Sequence, residues 1–253
     1  MKAIQYHIRA IKIALEQLAK GSFMAFFIPA FVLTIFYWYL QYNLTRVNFV
    51  ASWFSFLPYI GEYLDKLVEF GFTALDWILK QVYIFVILTL LSPVNTYLSE
   101  KLDSSLTGSV VKFDLLRFIN DFFRMLFIVL LAITMELIFM SVYWLFSWIF
   151  GFGVLDNLMY FLIAAFFFGL SFYDYSLERY GTGVFGTIGY AFQNMLTMIL
   201  TGSIFLLIFE IPFIGIAISG GITVMVSTIV FLIRENKYPK ENSKNNTTPT
   251  IEE

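Results

Sequence analysis

The sequence predicts an all-α integral membrane protein with two to three spanning helices, amphipathic interfacial helices and short hemi-penetrating helical hairpins. Two observations predict this class. The 253 residues are 59% hydrophobic and only 13% charged, which leaves too little charged surface for a soluble protein of this size. Apolar runs of 15 to 26 residues also recur along the chain, and a bilayer core needs about 20 helical residues to cross.

The apolar runs differ in length, and the difference predicts which of them span. They are Phe23–Tyr42, Phe72–Leu91, Met125–Phe150, Leu158–Tyr173, Met195–Phe209 and Ile211–Ile233. The first three are long enough to cross, and the last three are marginal. The turns at 151–157 and 210–215 are short, apolar and without Lys or Arg. They predict hairpins that turn inside the membrane, and because non-helical backbone there must be buried in protein, we expect a homo-oligomer.

The N-terminal residues 1–20 predict an amphipathic helix. Apolar Ile4, Ile8, Ile11, Leu15 and Leu18 recur at helical spacing, with Lys2, Arg9, Lys12, Glu16 and Lys20 between them. No cleavage site follows, so the segment is not a secretory signal. It is expected to lie on an anionic membrane face, either as an entry anchor, the favoured interpretation, or as a helix that docks lipids or a partner. The lone histidine, His7, is expected at the surface of this segment.

Further along the chain, the pattern predicts one domain with additional interfacial structure. Residues 59–70 alternate apolar and charged side chains and predict a second interfacial helix. Lys80 follows Asp76 by four residues, the favourable order for a helical ion pair. Residues 1–235 are expected to form a single membrane domain. Residues 236–253, rich in Asn, Lys, Thr and Pro, are expected to be a disordered cytoplasmic tail.

The basic residues predict the orientation. Thirteen of the sixteen fall on one side if the chain crosses or turns back at each run: Lys2, Arg9, Lys12, Lys20, Lys101, Lys112, Arg117, Arg124, Arg179, Arg234, Lys237, Lys240 and Lys244. The positive-inside rule makes that side the cytoplasm. We therefore expect a multi-pass protein of the inner (plasma) membrane with both termini cytoplasmic.

Several functional classes are not expected from this composition. With no cysteine and one histidine, neither a thiolate nor a multi-histidine metal site is expected. No paired catalytic constellation, cofactor-binding loop or basic-aromatic nucleic-acid surface is present in the sequence. The chain is therefore not expected to be an enzyme, to hold a cofactor or to bind nucleic acid.

Two acidic residues within apolar sequence are candidate functional positions. Glu136 lies in the middle of its run, where a carboxylate costs about 2.5 to 3.5 kcal/mol unless it is paired or faces a cavity. It is either a functional residue or a protonated glutamate bonded to a neighbouring helix. Glu210 precedes Pro212 at a predicted hairpin tip. It either lines a pathway or marks where the chain reaches the headgroups, and we favour the second.

Candidate anion sites lie where helices are predicted to begin beside basic residues. Lys20, Gly21 and Ser22 precede the first apolar run, and Gly181-Thr182-Gly183 follows Arg179. Free backbone N–H groups and the positive end of a helix dipole attract oxyanions. Each segment can equally be a structural cap, and for each we favour that interpretation.

Three stretches carry a family resemblance. Residues 91–108 contain Pro93 and Ser99-Glu100, residues 172–181 contain Tyr175-Ser176 before Gly181, and residues 211–221 contain Pro212 and Gly215. In order and spacing, over roughly residues 4–235, the chain resembles the CysZ sulfate permease family and its eukaryotic relatives, the etoposide-induced endoplasmic reticulum proteins. Two positions differ: Ser176 stands at the family's proline, and Lys20 and Ser22 stand where sulfate-handling members carry arginine.

The resemblance implies an inner-membrane oligomer with two long spanning helices and hemi-penetrating hairpins. It implies a permease for an inorganic oxyanion, most plainly sulfate taken up for cysteine synthesis. Lys20, Gly21, Ser22, Arg179, Gly181 and Thr182 are then the expected substrate-binding residues. The alternative is a non-transporting membrane protein of the same fold that organises lipids or partner proteins.

Overall fold

The computed structural model describes residues 2–44, 89–109, 115–212 and 214–238. Across these ranges the chain is helical or forms turns, and they contain no strand, which confirms the all-α class. The predicted interfacial helix at 59–70, the Asp76–Lys80 pair, most of the second apolar run and the tail beyond residue 238 lie outside the described residues.

The described helices follow the apolar runs closely. In chain order they are α1 (Lys2–Ala19), α2 (Ile28–Leu44), α3 (residues 89–107), α4 (Leu115–Phe150), α5 (Asp156–Arg179), α6 (Val184–Gln193), α7 (Met195–Phe209) and α8 (Gly215–Arg234), with a 3₁₀ turn at Met24–Phe27 before α2. Three stretches are long and apolar enough to cross a membrane: Phe122–Phe150, Asp156–Arg179 and Gly215–Arg234. The number rises to five if each of two sharply bent pairs, α1 with Met24–Phe36 and α6 with α7, counts as one span.

The fourth apolar run forms a longer helix than its apolar length indicates. α5 has 24 residues and is about 36 Å long at 1.5 Å per residue. It continues past Tyr173 because the polar residues Asp174 and Ser176 are buried against other helices rather than facing solvent. α7 has 15 residues, about 22 Å, so it remains too short to cross a bilayer core alone.

Two glycines allow α5 and α7 to cross at backbone contact. A Cβ atom added at Gly169 would lie 2.1 Å from the carbonyl oxygen of Met198, and one at Gly202 would lie 1.7 Å from that of Ala165. Small residues at helix crossings are the usual means of close packing in membranes. The hairpin helix α7 is therefore fixed against a long helix rather than exposed on both sides.

The amphipathic helix α1 packs against the bundle with a different face from its predicted apolar stripe. Its buried residues are His7, Ala10 and Ala14, whereas the predicted apolar stripe, Ile4, Ile8, Ile11 and Leu15, remains exposed on the protein surface. The chain then bends by 99° into Met24–Phe36. An exposed apolar stripe beside lysines is the arrangement that the interfacial prediction requires.

The prediction that His7 lies at the surface is wrong. The imidazole is 4% exposed; its Nδ1 lies 2.8 Å from the carbonyl oxygen of Ala3, and its Nε2 lies 2.8 Å from the Thr201 hydroxyl on α7. Small alanines one and two turns further along α1 let the helix approach α7 and α8 closely enough to enclose the ring. The histidine thus joins the N-terminal helix to the α7 hairpin.

The α4–α5 hairpin presents an apolar tip and a polar connection behind it. Trp148, Phe150 and Val154 are exposed, Val154 by 96%. Behind them, Asp156 at the start of α5 accepts hydrogen bonds from Tyr143 at 2.8 Å and from Ser147 at 2.6 Å. The turn is therefore fixed internally while its outer surface is apolar, as expected for a turn that does not face water.

Candidate functional site

Three arginines lie at one end of the helix bundle, which we call the basic end. Arg124 lies near the start of α4, whereas Arg179 and Arg234 are the last residues of α5 and α8. The ends of α5 and α8 meet where Tyr180 packs against Phe231, with ring centroids 5.1 Å apart. The chain thus returns to this end after each hairpin, and these three basic residues share one end of the molecule.

Arg124 forms a buried ion pair that joins α4 to the end of α5. Its Nη2 and Nε lie 2.7 and 3.2 Å from the two oxygens of Asp174, which is fully buried. Glu178 lies 3.7 Å from the same guanidinium. Nη2 also donates to the Thr182 carbonyl, and the Thr187 hydroxyl donates to Asp174 at 2.8 Å. This bidentate geometry fixes the Arg124 and Asp174 side chains and neutralises the carboxylate.

Arg179 forms a second pair, which joins α5 to α3. Its Nη1 lies 2.6 Å from Asp103 and donates to the carbonyl of Ser99 at 3.1 Å. The Tyr180 hydroxyl donates to the same carboxylate oxygen at 2.9 Å. Burial, together with that bond to Asp103, raises the pKa of Tyr180 to about 12. The Lys237 ammonium lies 3.1 Å from the centroid of the Tyr180 ring, so the residues after α8 cover this cluster.

A line of buried polar side chains leads from this cluster into the apolar interior, and we call it the polar seam. On α3, polar residues recur every three or four positions along the buried face, and residues of α5 and α8 lie against them. The seam comprises Ser92, Asn95, Thr96, Ser99 and Asp103 on α3, Tyr175 and Ser176 on α5, and Ser219 and Thr228 on α8.

Part of the seam is hydrogen bonded and part is not. Near the basic end the hydroxyls of Ser99 and Thr228 lie 2.8 Å apart. Deeper in the interior, the hydroxyls of Thr96 and Ser219 are buried and form no hydrogen bond to a described residue. A buried hydroxyl without a partner costs roughly 1 to 3 kcal/mol. Such groups in a membrane helix bundle favour a path or site that a polar species occupies.

The structure places each predicted anion segment in the link between two helices. Gly21 has φ +75° and its N–H donates to Leu18 at 2.9 Å, so it closes α1, and the 3₁₀ turn begins at Met24. Gly181 has φ +81° and donates to Glu178, while Thr182 donates to Leu177, which together complete the hydrogen-bond pattern that closes α5. Gly183 is then the N-cap of α6, so a helix does start where the sequence predicted one. The hydrogen bonds of both segments are those of a structural cap.

The predicted substrate-binding residues do not form one cluster. Lys20 and Ser22 are exposed in the bend after α1. Across the described ranges, no hydrogen bond or ion pair links them to Arg179 or Thr182. Arg179 is instead the centre of the polar cluster at the basic end.

The two candidate acids differ in their surroundings. Glu136 is half-buried on the face of α4 that carries Ala132 and Tyr143. Its carboxylate accepts no hydrogen bond from a described residue, so the expected bond to a neighbouring helix is not found there. Glu210 is exposed at the end of α7, which agrees with a residue at headgroup level.

The comparisons with known proteins add no assignment. No protein-family model and no curated protein matches this chain. Within the part of the chain that the structure describes, no group of three or more His, Asp or Glu side chains is placed to hold a metal ion.

Asp103, Asp174 and Arg124 were not among the residues that the sequence pattern singled out. A signal for them does exist. The α3 polar residues at 92, 96, 99 and 103 repeat at helical spacing, which places them on one face of an otherwise apolar helix. Charged residues that interrupt a membrane helix are rare and are expected to pair with one another. Together these two rules would have directed attention to α3 and to the end of α5.

Proposed function

We propose that this protein is a membrane permease for an inorganic oxyanion, with sulfate the substrate that the family resemblance suggests. The observation that carries the proposal is the polar seam, a row of buried polar side chains between apolar helices. The Thr96 hydroxyl within it has no hydrogen-bond partner among the described residues, and a passing solute with several oxygens would supply one. Hydroxyl and amide groups donate hydrogen bonds to an oxyanion without fixing it as tightly as a row of cations would.

Arg179 gives the seam its anion-attracting end. Its guanidinium already binds the Asp103 carboxylate and a Ser99 carbonyl in the planar, multi-donor geometry that suits oxyanions. In the proposed path, an incoming oxyanion exchanges with Asp103 on Arg179, and Asp103 keeps its hydrogen bond from Tyr180. The path then runs along Ser99 and the hydroxyls of α3 away from the basic end.

Uptake of radiolabelled sulfate into proteoliposomes of the purified protein tests the proposal, with protein-free liposomes as the blank and selenate, sulfite and chloride as competitors. Saturable uptake blocked by selenate or sulfite, but not by chloride, is the expected result. Arg179→Gln and Lys20→Gln should each weaken uptake if both residues bind the substrate, and unchanged uptake in one of them removes that residue from the site.

A matched pair of threonine variants tests the seam directly. Thr96→Val removes an unpaired hydroxyl from the buried face of α3, whereas Thr134→Val removes an exposed hydroxyl that bonds to the Leu130 carbonyl on α4. A hydrogen bond to an ion contributes roughly 1.5 to 3 kcal/mol, so Thr96→Val should slow uptake about tenfold or more. Thr134→Val should leave it unchanged. Equal rates in both variants would exclude the seam as the path.

A second function is favoured by a separate observation. Arg124 and Arg179 are each paired with a carboxylate, and the exposed tip of the α4–α5 hairpin is apolar. Those features suit a non-transporting protein of the same fold that organises lipids or partner proteins. Absence of uptake above the blank, from protein shown to be folded, would favour this role.

A further inference from the structure

A small cavity lies in the bundle where α8 begins, between the 3₁₀ turn before α2, α3 and α7. Its volume is about 20 Å³, which is enough to hold one species about the size of a water molecule. Its walls are the rings of Phe26, Phe27 and Phe205, the side chains of Asn95 and Ser219, and the backbone of Gly220.

Ser219 gives this cavity an unused hydrogen-bond donor. The residue is 1% exposed, and its hydroxyl has no hydrogen-bond partner among the described residues. Its position in the second turn of α8 means that the positive end of the helix dipole lies at the same place. A buried donor beside a helix N-terminus favours a ligand that carries negative charge.

Asn95 supplies a second donor. Its Nδ2 lies 3.5 Å from the Tyr175 hydroxyl, and an amide nitrogen has two hydrogens, so one is available to the cavity. A Cβ atom built at Gly220 would be 4.0 Å from this nitrogen, which is its nearest neighbour outside the helix. The cavity is therefore lined by two neutral residues that can donate, Asn95 and Ser219.

The remaining wall residues also suit an anion. The described residues that line the cavity are mostly apolar and none of them is charged, so no carboxylate among them repels a negative ion. The phenyl rings carry positive charge at their edges, which interacts favourably with an anion in the ring plane. Size then selects among anions: a monatomic halide is close to the size of water, whereas sulfate has four oxygens around its central atom and does not fit.

We propose that the cavity between Asn95 and Ser219 is a binding site for a monatomic halide ion, chloride in the cell. The ion accepts hydrogen bonds from the Ser219 hydroxyl and the Asn95 amide at the N-terminal end of α8. The argument for this site does not require sulfate transport. Asn95 and Ser219 also belong to the polar seam, but the cavity between them is too small to admit sulfate, so sulfate is not expected to compete for it.

Broadening of the chloride NMR line by the purified full-length protein in detergent micelles tests the site, with gluconate replacing chloride at constant ionic strength. Bromide should compete and sulfate should not. Ser219→Ala removes the unpaired donor and should weaken chloride binding about tenfold, the effect of one hydrogen bond to an ion. Ser227→Ala is the matched control, because this hydroxyl lies on the same helix and bonds to the Phe172 and Val224 carbonyls.

A second variant tests the site without removing a polar group. Gly220→Ala places a methyl group in the open space beside Asn95, without a clash. It should abolish chloride binding and leave the melting temperature in gluconate at or above that of the wild type, since alanine favours a helix more than glycine does.

Two outcomes would overturn the proposal. Equal line broadening in the wild type, Ser219→Ala and Gly220→Ala would show that chloride adsorbs elsewhere on the protein. No broadening by folded wild-type protein would show that the cavity holds water only. Neither result depends on whether the protein transports sulfate, so failure of this proposal is distinguishable from failure of the permease proposal.

Discussion

Replacing Arg124 with leucine should strongly destabilise the protein, because it leaves a carboxylate buried without its ionic partner. Asp174 is fully buried and receives two hydrogen bonds from the Arg124 guanidinium, at 2.7 and 3.2 Å. The Thr187 hydroxyl would remain as its only hydrogen-bond donor among those described above. One neutral donor does not replace a guanidinium.

The size of the effect follows from the burial of the pair. Removing one partner of a buried ion pair costs about 3 to 5 kcal/mol. For a chain of this size, 1 kcal/mol shifts the melting temperature by about 2 to 4 °C. Arg124→Leu should therefore lower the melting temperature by about 6 to 20 °C. The double variant Arg124→Leu/Asp174→Leu should recover much of this loss, because it leaves no buried charge.

Thermal unfolding of the purified variants in detergent, followed by intrinsic fluorescence, measures the effect. Arg234→Leu is the control: Arg234 lies 3.9 Å from Glu235, and both side chains are about one-third exposed, so that pair contributes at most about 1 kcal/mol. Arg234 also donates a hydrogen bond to the Thr197 hydroxyl at 3.2 Å, but losing it leaves no buried charge without a partner. If Arg124→Leu melts within 3 °C of the control, the buried pair does not hold α4 against α5 and our reasoning is wrong.

Three further perturbations separate other features of the fold. Gly202→Ala should cost about 1 to 3 kcal/mol or more, because its Cβ would lie 1.7 Å from a carbonyl of α5. Gly189→Ala, with no atom within 4 Å, should be neutral or slightly stabilising in the same melting assay, because alanine favours a helix more than glycine does. His7 lies outside the three long spans, and burial lowers its pKa below the usual 6.5. The unfolded chain therefore binds the proton more readily than the folded protein does, so the free energy of unfolding should fall as the pH drops through 6.5. His7→Gln should remove that part of the pH dependence between pH 7.5 and 5.5, and an unchanged slope would contradict the assignment. Asp156→Ala removes the acceptor of two hydrogen bonds and should increase proteolysis at the α4–α5 turn. A turn that stays resistant to protease in this variant would show that other contacts hold it.

The fold class was predictable because it rests on run length. Helix α7 begins and ends at the bounds of its apolar run, since nothing polar interrupts residues 195–209 apart from small hydroxyls and one glycine. The extent of α5 was not predictable in the same way. Asp174 looks like the end of a membrane segment in sequence, but its partner Arg124 is 50 residues away, and a hydropathy pattern contains no information about such distant pairing.

The candidate site was predictable only in part, for a conformational reason. Helices do start after residues 20–22 and 181–183, as the sequence predicted, but Gly21 and Gly181 also close the helices that precede them. Both adopt positive φ values, a conformation that glycine provides at helix C-termini. A glycine that shortly follows a basic residue, as Gly21 and Gly181 do, can mark the end of one helix as well as the start of the next. His7 was misplaced because the amphipathic pattern marks the exposed apolar stripe of α1, whereas the face that packs against the bundle carries only the histidine and small alanines.

The distance in sequence between Arg124 and Asp174 also has a consequence for biosynthesis. During translation Arg124 leaves the ribosome 50 residues ahead of its carboxylate, so it meets the insertion machinery as an uncompensated positive charge. The positive-inside rule predicts that such a charge keeps the start of α4 on the side of synthesis. Once α5 has inserted, the same residue is the counter-ion of Asp174. On this prediction, one arginine first directs topology and later stabilises the assembled bundle.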